Sequence, residues 1–549
     1  MHELAYGCRR GRVEGGRRAR VAAMPAVAGV LALGAAALLA APLSAGASSP
    51  RRAPSSSSGG TLTLQFTAPV SLNPALEGIA ESDIDFGALD YDSLFFQQPD
   101  GSYTGDLVTS WSYVPGTHNE KFDMTVRPGV RFSDGSAVTA EAIVKSLQYF
   151  ASAHGPQSAF LASMTSATAS GSTVHLGFSS PAPDLPFLFD QYEGVGQIIG
   201  PAGIANPTEL QTTSDGAGPF VLSASQSVAG SEYVFTRNPH YWNPSAVHYS
   251  KVIVKVIADP QSALSALESG QVDVLTSVPW QVAKPALASG YTVYEAPFSI
   301  ASLFLMDRSG TTSPLGSLDV RQAIEDAIER PALAHDLGGP RAVATDEVSI
   351  PGATGYDPKL AGYYSYDLTK AKQLLAAGGY ANGFTMDVLD TVALDPNGDL
   401  GAALKVELAQ IGITLDLTDV PSPAQFLPAA LSKQYPALIW PISQDGNGFA
   451  YSVEFALVPF TNVFGSTSAT LTALLTAATG AGSTAAADSD YQKVNDWLVR
   501  NAWYVPVYSL NSTYVIGKDV ANVSPINPSN TTIDPVDPTE PSLSWHPSK

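Results

Sequence analysis

The sequence predicts an α/β protein with several domains, and three observations support this. The chain has 549 residues, about three to four times the usual size of one domain. Hydrophobic residues make up 45% and charged residues 14%, which favours a large core and excludes a disordered protein. Patterns typical of strands alternate with patterns typical of helices along most of the chain.

Residues 1–47 have the order of a secretory signal. A basic run from Arg9 to Arg20 precedes an apolar stretch over residues 26–41, and Ala45-Gly46-Ala47 matches a small-x-small cleavage site. The apolar stretch is shorter than the ~18–20 residues needed to span a bilayer. We expect a cleaved signal peptide, with an uncleaved N-terminal membrane anchor as the alternative. Both interpretations export the rest of the chain to the periplasm, the cell surface or the extracellular space.

The segment after the signal predicts a flexible tether without a lipid anchor. Residues 48–60 read SSPRRAPSSSSGG, which is rich in Ser and Gly and poor in apolar residues. Ser48 stands where a lipoprotein signal needs a cysteine, so no lipidation is expected.

The first half of the body shows five strand patterns and one clear helix. Alternation of apolar and polar residues predicts strands at 61–66, 122–126, 173–178, 231–236 and 252–257. Apolar residues at 143, 144, 147 and 150 predict a helix over 140–150. Thr139 is its expected N-cap, and Glu141 suits the helix dipole.

The second half pairs helices with strands. Apolar spacing predicts helices at 260–269, 320–329, 368–377, 402–410 and 491–501. Three of them precede strand patterns, at 272–275, 385–389 and 414–417. This alternation predicts α/β lobes. The Pro-rich tail, 527–549, is expected to lie over the surface of one lobe.

Charge and motif content exclude several classes of function. Beyond residue 47 the chain carries 23 basic and 48 acidic side chains, a net charge of -25 that would repel nucleic acid. Cys8 is the one cysteine, so disulfides, thiolate metal sites and a cysteine nucleophile are not expected in the body. The chain has no His-Glu-x-x-His, Gly-x-Ser-x-Gly or Walker motif. We therefore expect no enzyme, catalytic residue, cofactor or metal.

Five ordered stretches resemble a known family. They are Phe122-Asp-Met-Thr-Val-Arg-Pro-Gly-Val-Arg-Phe-Ser-Asp-Gly135 with Thr139-Ala-Glu141, Gly216-Ala-Gly-Pro-Phe220 with Arg237-Asn-Pro-His-Tyr-Trp242, Ala266-Leu-Glu-Ser-Gly-Gln-Val-Asp-Val274, Asp319–Arg330 and Tyr366–Tyr380. Together they are similar to the extracellular solute-binding proteins of ABC importers, in the class that binds peptides and related solutes. The resemblance extends from about residue 61 to about residue 522.

The resemblance implies a two-lobed, type II periplasmic-binding-protein-like fold with an extra third domain. Paired crossover strands would join the two lobes. By position, lobe I takes residues 61–97, 206–300 and 510–549, the extra domain takes 98–205, and lobe II takes 301–509. Trp111, Tyr241 and Trp242 are expected to be core anchors.

The ligand site implied by the resemblance departs from the family pattern. Peptide-binding members carry Trp-x-x-Asp in lobe II, whose carboxylate holds the peptide amino terminus. Here Trp440 matches, Ser443 replaces the acid, and Asp445 is the nearest carboxylate. Asp445 would replace the missing acid after a loop shift; alternatively, the ligand lacks a free amino terminus or the loop is solvated. Gln444 and Asn447 would bind amide or hydroxyl groups.

The other candidate contacts are aromatic and acidic residues of lobe I. Trp280 is expected to face the cleft, as are Glu81 and Asp83, which we place in the first loop. Trp440 has two interpretations, a stacking surface for the ligand or a core residue under the loop. Phe304 and Met306 are expected in the core, and Asp307 stands where many members have Asn.

The resemblance implies a monomeric binding protein that closes around a small solute and delivers it to an ABC transporter permease. A peptide is the expected solute. The alternatives are a sugar, a nickel complex or a siderophore, or a sensor or surface protein that works without transport. An exported hydrolase is the remaining class.

Overall fold

The structure is a computed structural model that describes residues 59–77, 81–98, 101–390, 399–420, 423–443, 462–523 and 534–548. The predicted signal and the first part of the tether lie outside these ranges. The predicted mixed α/β class is confirmed. Within the described ranges, no helix combines the length and apolar character that a membrane span requires.

The strands cluster in one large sheet and several smaller ones. They are β1 (Thr61–Phe66), β2 (Phe95–Gln97), β3 (Tyr103–Gly105), β4 (Val108–Tyr113), β5 (Lys121–Val126), β6 (Met164–Ser170), β7 (Thr173–Phe178), β8 (Phe220–Leu222), β9 (Glu232–Arg237), β10 (Lys251–Val256), β11 (Val274–Leu275), β12 (Thr292–Leu305), β13 (Phe384–Asp390), β14 (Ile413–Asp419), β15 (Ala437–Ser443), β16 (Val505–Ile516), β17 (Val520–Ala521) and β18 (His546–Pro547).

Along the chain, most of the helices connect strands of the large sheet. The α-helices are Glu81–Ala88, Ala140–Ser152, Leu185–Leu188, Pro201–Ala205, Pro260–Glu268, Trp280–Ala288, Leu318–Asp326, Arg330–Leu333, Leu368–Ala377, Leu400–Ala409, Pro423–Leu431, Ala469–Thr479 and Thr484–Arg500. Thr139 accepts a hydrogen bond from the Ala142 N–H, which confirms it as the N-cap of the second helix.

The large sheet has ten strands in the order β14-β13-β15-β12-β16-β11-β1-β10-β9-β8. We call β11, β1, β10, β9 and β8 half A, and β15, β13 and β14 half B. Half A falls in the segments predicted as lobe I, and half B in the segment predicted as lobe II. A separate sheet, β4-β5-β7-β6, falls in the segment predicted as the extra domain.

The long strands β12 and β16 join the two halves. They pair antiparallel from Thr292 opposite Ile516 to Leu303 opposite Val505, with register shifts between Pro297 and Ser299 and between Ala301 and Ser302. The lobe boundaries predicted at residues 300 and 510 lie within this pair. Because both halves continue these two strands, a bend in the pair would change the angle between them.

Separate hydrophobic clusters support the three regions. Half A buries Leu62, Leu64 and Phe66 against its neighbouring strands. Half B buries Leu303 and Val388 in one cluster, while a second cluster holds Phe304 and Met306, as predicted. The β4–β7 sheet packs its own cluster against the helix Ala140–Ser152.

Two expected core anchors lie around a buried carboxylate. Tyr241 is buried, and the Trp242 Nε1–H donates to Asp92 Oδ2 at 2.9 Å. The Arg127 guanidinium lies 4.2 Å from the Trp242 ring centroid. Trp111 is partly buried and makes an edge contact with Phe95.

Asp307, whose role the sequence did not explain, caps the turn that follows β12. Its carboxylate accepts hydrogen bonds from the backbone N–H groups of Thr311, Thr312 and Ser313 at 2.7–2.8 Å. Burial raises the pKa of Asp307, but these hydrogen bonds outweigh it and hold the pKa below the usual value. An ionised carboxylate accepts all of these donors, which an Asn side chain with one oxygen would do less well.

The described part of the C-terminal tail is tied to half A. β18 pairs with β17, and Val536 and Trp545 are buried in the same cluster as β1. The tail therefore contributes core side chains in addition to covering the surface.

The prediction of a loop at Glu81 and Asp83 is wrong. Glu81 and Asp83 were expected in the first loop of lobe I, but they begin the helix Glu81–Ala88. Phe86 packs against half A and Ile84 is also buried, while acids in the first turn suit the helix dipole.

Candidate functional site

The candidate site lies where the two halves meet along one edge of β16. On the half A side, Leu275 of β11 pairs with Val515, and the Val278 N–H donates to Thr513 O at 3.1 Å. On the half B side, residues 343–345 pair with residues 507–509 of the same strand. Asn511 lies between these two attachments. We call this place the junction.

Asn511 brings a polar side chain to the junction. Its Oδ1 and Nδ2 are both shielded from solvent. The amide lies diagonally across the strand pair from Glu295 and hydrogen-bonds its carboxylate.

Glu295 lies on β12, and its backbone pairs with Thr513, two residues after Asn511 on β16. Its side chain is 6% exposed, and its Oε2 lies 3.5 Å from Arg341 Nε on the half B side. Its Oε1 is shielded from solvent, and the side chain of Asn511 hydrogen-bonds the carboxylate. Burial raises the pKa of Glu295, and the neighbouring Arg341 and Asn511 partly offset that rise.

Trp280 and Gly339 make a second contact between the halves. Trp280 begins the helix Trp280–Ala288 on the half A side, immediately after Pro279. A Cβ added to Gly339 would lie 2.9 Å from Trp280 Cγ, and Gly339 has φ 85°. Both conditions require glycine, so the indole packs directly on the half B backbone.

The predicted contacts on half B lie partly outside the described residues. Trp440 lies on β15 opposite Ser302 and stacks on Phe426, with ring centroids 5.2 Å apart and planes at 23°. It is half-buried and packs against the second cluster of half B. Ser443 ends β15, with its backbone opposite Ser299. The Ser443 side chain and residues Gln444, Asp445 and Asn447 lie outside the described residues.

The structure therefore separates the predicted contacts. It places Trp280 at the junction and the half-buried Trp440 against the second cluster of half B. Glu81 and Asp83 lie in the first turn of their helix, and their side chains lie outside the described part of the structure. The roles of all eight predicted contacts in ligand binding stay predictions.

Sequence reasoning missed Glu295, Arg341 and Asn511. A signal was present for Glu295, because it is a charged residue in a segment of mostly apolar and β-branched residues. In the described part of the chain, no group of three or more His, Cys, Asp and Glu side chains is placed to hold a metal ion.

Comparison with known families and proteins adds independent information. Residues 102–457 match the family of bacterial extracellular solute-binding proteins, family 5 Middle. The probable D,D-dipeptide-binding periplasmic protein DdpA of Escherichia coli is 26% identical over 316 residues, covering 55% of this chain and 59% of that protein. The chain spans about 60% of the length of the curated relatives it matches.

Solved structures share the fold. The binding protein AgaA of A. tumefaciens R10, in complex with agropinic acid, has a TM-score of 0.73 and 22% identity, covering 86% of this chain and 96% of that one. DppA of Helicobacter pylori, in complex with the peptide STSA, has a TM-score of 0.72 and 20% identity, covering 86% and 98%. These similarities confirm the type II periplasmic-binding-protein fold.

Proposed function

The chain belongs to the bacterial extracellular solute-binding proteins of family 5, and on that basis we propose that it is an exported receptor for a small solute. It captures a peptide by closure of its two halves and delivers it to the permease of an ABC transporter. It works as a monomer and makes or breaks no covalent bond in the solute.

The junction is the observation that carries this proposal. Two long paired strands connect the halves, and the contacts Trp280–Gly339 and Glu295–Arg341 reach from one half to the other. A solute that touches both halves binds the closed form better than the open form, and its differential affinity shifts the population. The closed shape then differs from the open one, which gives a permease a surface to recognise.

A peptide is the proposed solute because the E. coli relative is named for D,D-dipeptides and the H. pylori neighbour holds a peptide. A non-peptide solute is the second candidate, favoured by the agropinic acid bound to AgaA. An extended peptide would be held mainly by main-chain hydrogen bonds.

Export is proposed from the order of features in residues 1–47, and the family's extracellular location supports it. A sensor or surface role without transport is the alternative in which binding and closure occur but no permease responds.

Native mass spectrometry tests the binding function. The body, residues 48–549, purified gently from its host, is expected to carry a small molecule that is released on denaturation. Adding back that molecule to the emptied protein should reduce the radius of gyration in small-angle X-ray scattering. An unchanged radius at saturation, or conversion of the molecule into a product, would contradict the proposal.

An uptake assay distinguishes a role in transport from a role in sensing. Deleting the gene in the host should abolish accumulation of the same radiolabelled molecule, and the full-length gene should restore it. Normal accumulation in the deletion strain would favour the sensor or surface role.

A further inference from the structure

We infer that the turn between β4 and β5 restrains the opening of the two halves, through a contact of Asn119 with half B that is separate from β12 and β16. This inference rests on the proposed function, because it concerns the same opening and closing motion. Its test has a readout that requires no solute, so the two can fail independently.

Asn119 reaches half B with its side-chain amide. Its Nδ2 donates to Thr479 O at 3.3 Å and to Ala481 O at 3.1 Å. Both oxygens lie at the C-terminal end of the helix Ala469–Thr479, where the carbonyl groups lack intrahelical partners and carry a partial negative charge. Side chains of this helix pack in the same cluster as Leu438 of β15, so the helix moves with half B.

The backbone of the turn is held in an unfavourable conformation that positions this amide. His118 and Asn119 are successive non-glycine residues with φ 51° and 61°. Such a conformation costs free energy and persists only where the surrounding structure fixes it. The Glu120 N–H donates to Thr117 O at 2.9 Å, and the Ala182 N–H donates to Asn119 O at 3.1 Å. The turn therefore holds the amide in position without help from half B.

The β4–β7 sheet that carries the turn is anchored on half A. The Ser133 N–H donates to Gly216 O at 2.8 Å, and the Arg127 guanidinium lies 4.2 Å from the Trp242 ring centroid. Gly216 precedes β8, and Trp242 lies between β9 and β10, all of them strands of half A. The donor of the Asn119 contact is therefore fixed to half A, while its two acceptors are fixed to half B.

Bending of β12 and β16 would break the Asn119 contact. A rotation of half B away from half A that lengthens the two N–H···O distances beyond about 3.5 Å removes both hydrogen bonds. The open form then lacks two interactions that the described form has. Their loss lowers the population of the open form, because the contact distinguishes the two states.

Site-directed spin labelling measures the opening directly, because the chain has no cysteine beyond Cys8. Nitroxides on Lys145→Cys and Lys372→Cys, both exposed on helices, report the distance between the β4–β7 region and half B by double electron–electron resonance. The test variants are Asn119→Gly and Asn119→Asp. Glycine accepts the left-handed backbone without a side chain, and aspartate keeps the shape of asparagine without its N–H donors.

Asn522 provides a matched control. It has φ 64°, and its Nδ2 donates to Ser542 O at 2.7 Å and to Ser544 O at 3.0 Å. Residue type, backbone conformation and the pair of carbonyl acceptors are the same as at Asn119, but this contact joins β17 to the C-terminal tail. Asn522→Gly and Asn522→Asp therefore remove the same interactions without altering a contact with half B.

Both Asn119 variants should open the protein in the absence of solute. We expect the distance distribution to shift to longer values and the ratio of open to closed molecules to rise by at least about fivefold, as the loss of two ordinary hydrogen bonds implies. The two Asn522 variants should give the wild-type distribution. A cooperative thermal transition in every variant shows that each one folds.

An unchanged distance distribution in both Asn119 variants would overturn the inference. An equal shift in the Asn119 and Asn522 variants would overturn it as well, because the effect would not depend on contact with half B. The proposed function is judged by wild type, in which the co-purified molecule should shorten the same distance when it is added back. If wild type does not respond while the Asn119 variants open, closure on a solute fails and the restraint by Asn119 stands.

Discussion

At the scale of single residues, Gly339 combines two independent constraints. Its backbone has φ 85° and ψ -174°, a region that residues with a Cβ rarely occupy. A Cβ would also lie within 2.9 Å of the Trp280 ring. Each constraint alone predicts that glycine is required here, and the second links the residue to contact between the halves.

We predict that Gly339→Ala lowers the free energy of unfolding by about 1–3 kcal/mol through backbone strain and also weakens solute binding. The weaker binding follows because Trp280 must move away from half B. Gly352→Ala is the matched control, since Gly352 has φ 94° with open space around its Cβ position. Urea unfolding and calorimetry measure the two effects. Equal loss of binding in both variants would show that Trp280–Gly339 has no role in closure.

Residues of the candidate site were only partly predictable. Trp280 was predicted from its position in the sequence pattern, and its neighbour across the junction is Gly339. Glu295 and Asn511 are 216 positions apart in the chain, and the antiparallel register of β12 and β16 brings them together. That register depends on tertiary packing and on a bulge at Pro297, which sequence periodicity does not reveal.

At the scale of elements, one turn connects the β4–β7 sheet to half B. Asn119, in the turn between β4 and β5, donates its side-chain N–H groups to Thr479 O and Ala481 O at 3.3 and 3.1 Å. These carbonyls lie at the end of the helix Ala469–Thr479, where intrahelical partners are missing. Asn119 has φ 61°, which Asn tolerates better than most residues.

We predict that Asn119→Gly lowers the free energy of unfolding by about 1 kcal/mol, because the two hydrogen bonds are lost while the backbone stays unstrained. Asn119→Ala should lose about 1 kcal/mol more, since it adds left-handed strain to the same loss. Chemical denaturation of both variants measures the difference. A glycine variant as stable as wild type would mean that this turn does not support half B.

Elements with clear periodicity were predicted well. The strand at 61–66 and the helix at 368–377 have the predicted bounds, because alternating and 3.6-spaced apolar residues each bury one face. The helix predicted at 491–501 begins earlier, at Thr484, where Ser483 accepts a hydrogen bond from the Ala486 N–H. The helix Trp280–Ala288 was missed because it contains Pro285, which sequence rules treat as a breaker.

At the scale of the whole molecule, several carboxyl groups are buried or half-buried, and burial outweighs the opposite charges beside them, as for Glu325 next to Arg330. Burial raises the pKa of Asp106 to about 8, that of Asp184 to about 7, that of Glu325 to about 8 and that of Glu347 to about 7. Burial also raises the pKa values of Asp92 and Asp534, which line a small cavity with Asp106 beneath the C-terminal tail. These groups lie in all three regions of the fold.

The raised values make stability depend on pH. In the unfolded chain these carboxyls lose their protons near pH 4, whereas the folded protein keeps them until about pH 7–8. Between these limits the folded state binds more protons, so the free energy of unfolding falls as pH rises, by at most about 1.4 kcal/mol per pH unit for each group.

We predict that the midpoint of thermal unfolding is higher at pH 5 than at pH 8. Asp106→Asn should flatten the slope, because an amide mimics the protonated acid at every pH. A midpoint that rises from pH 5 to pH 8 would show that the buried carboxyls are ionised and that cations compensate their charge.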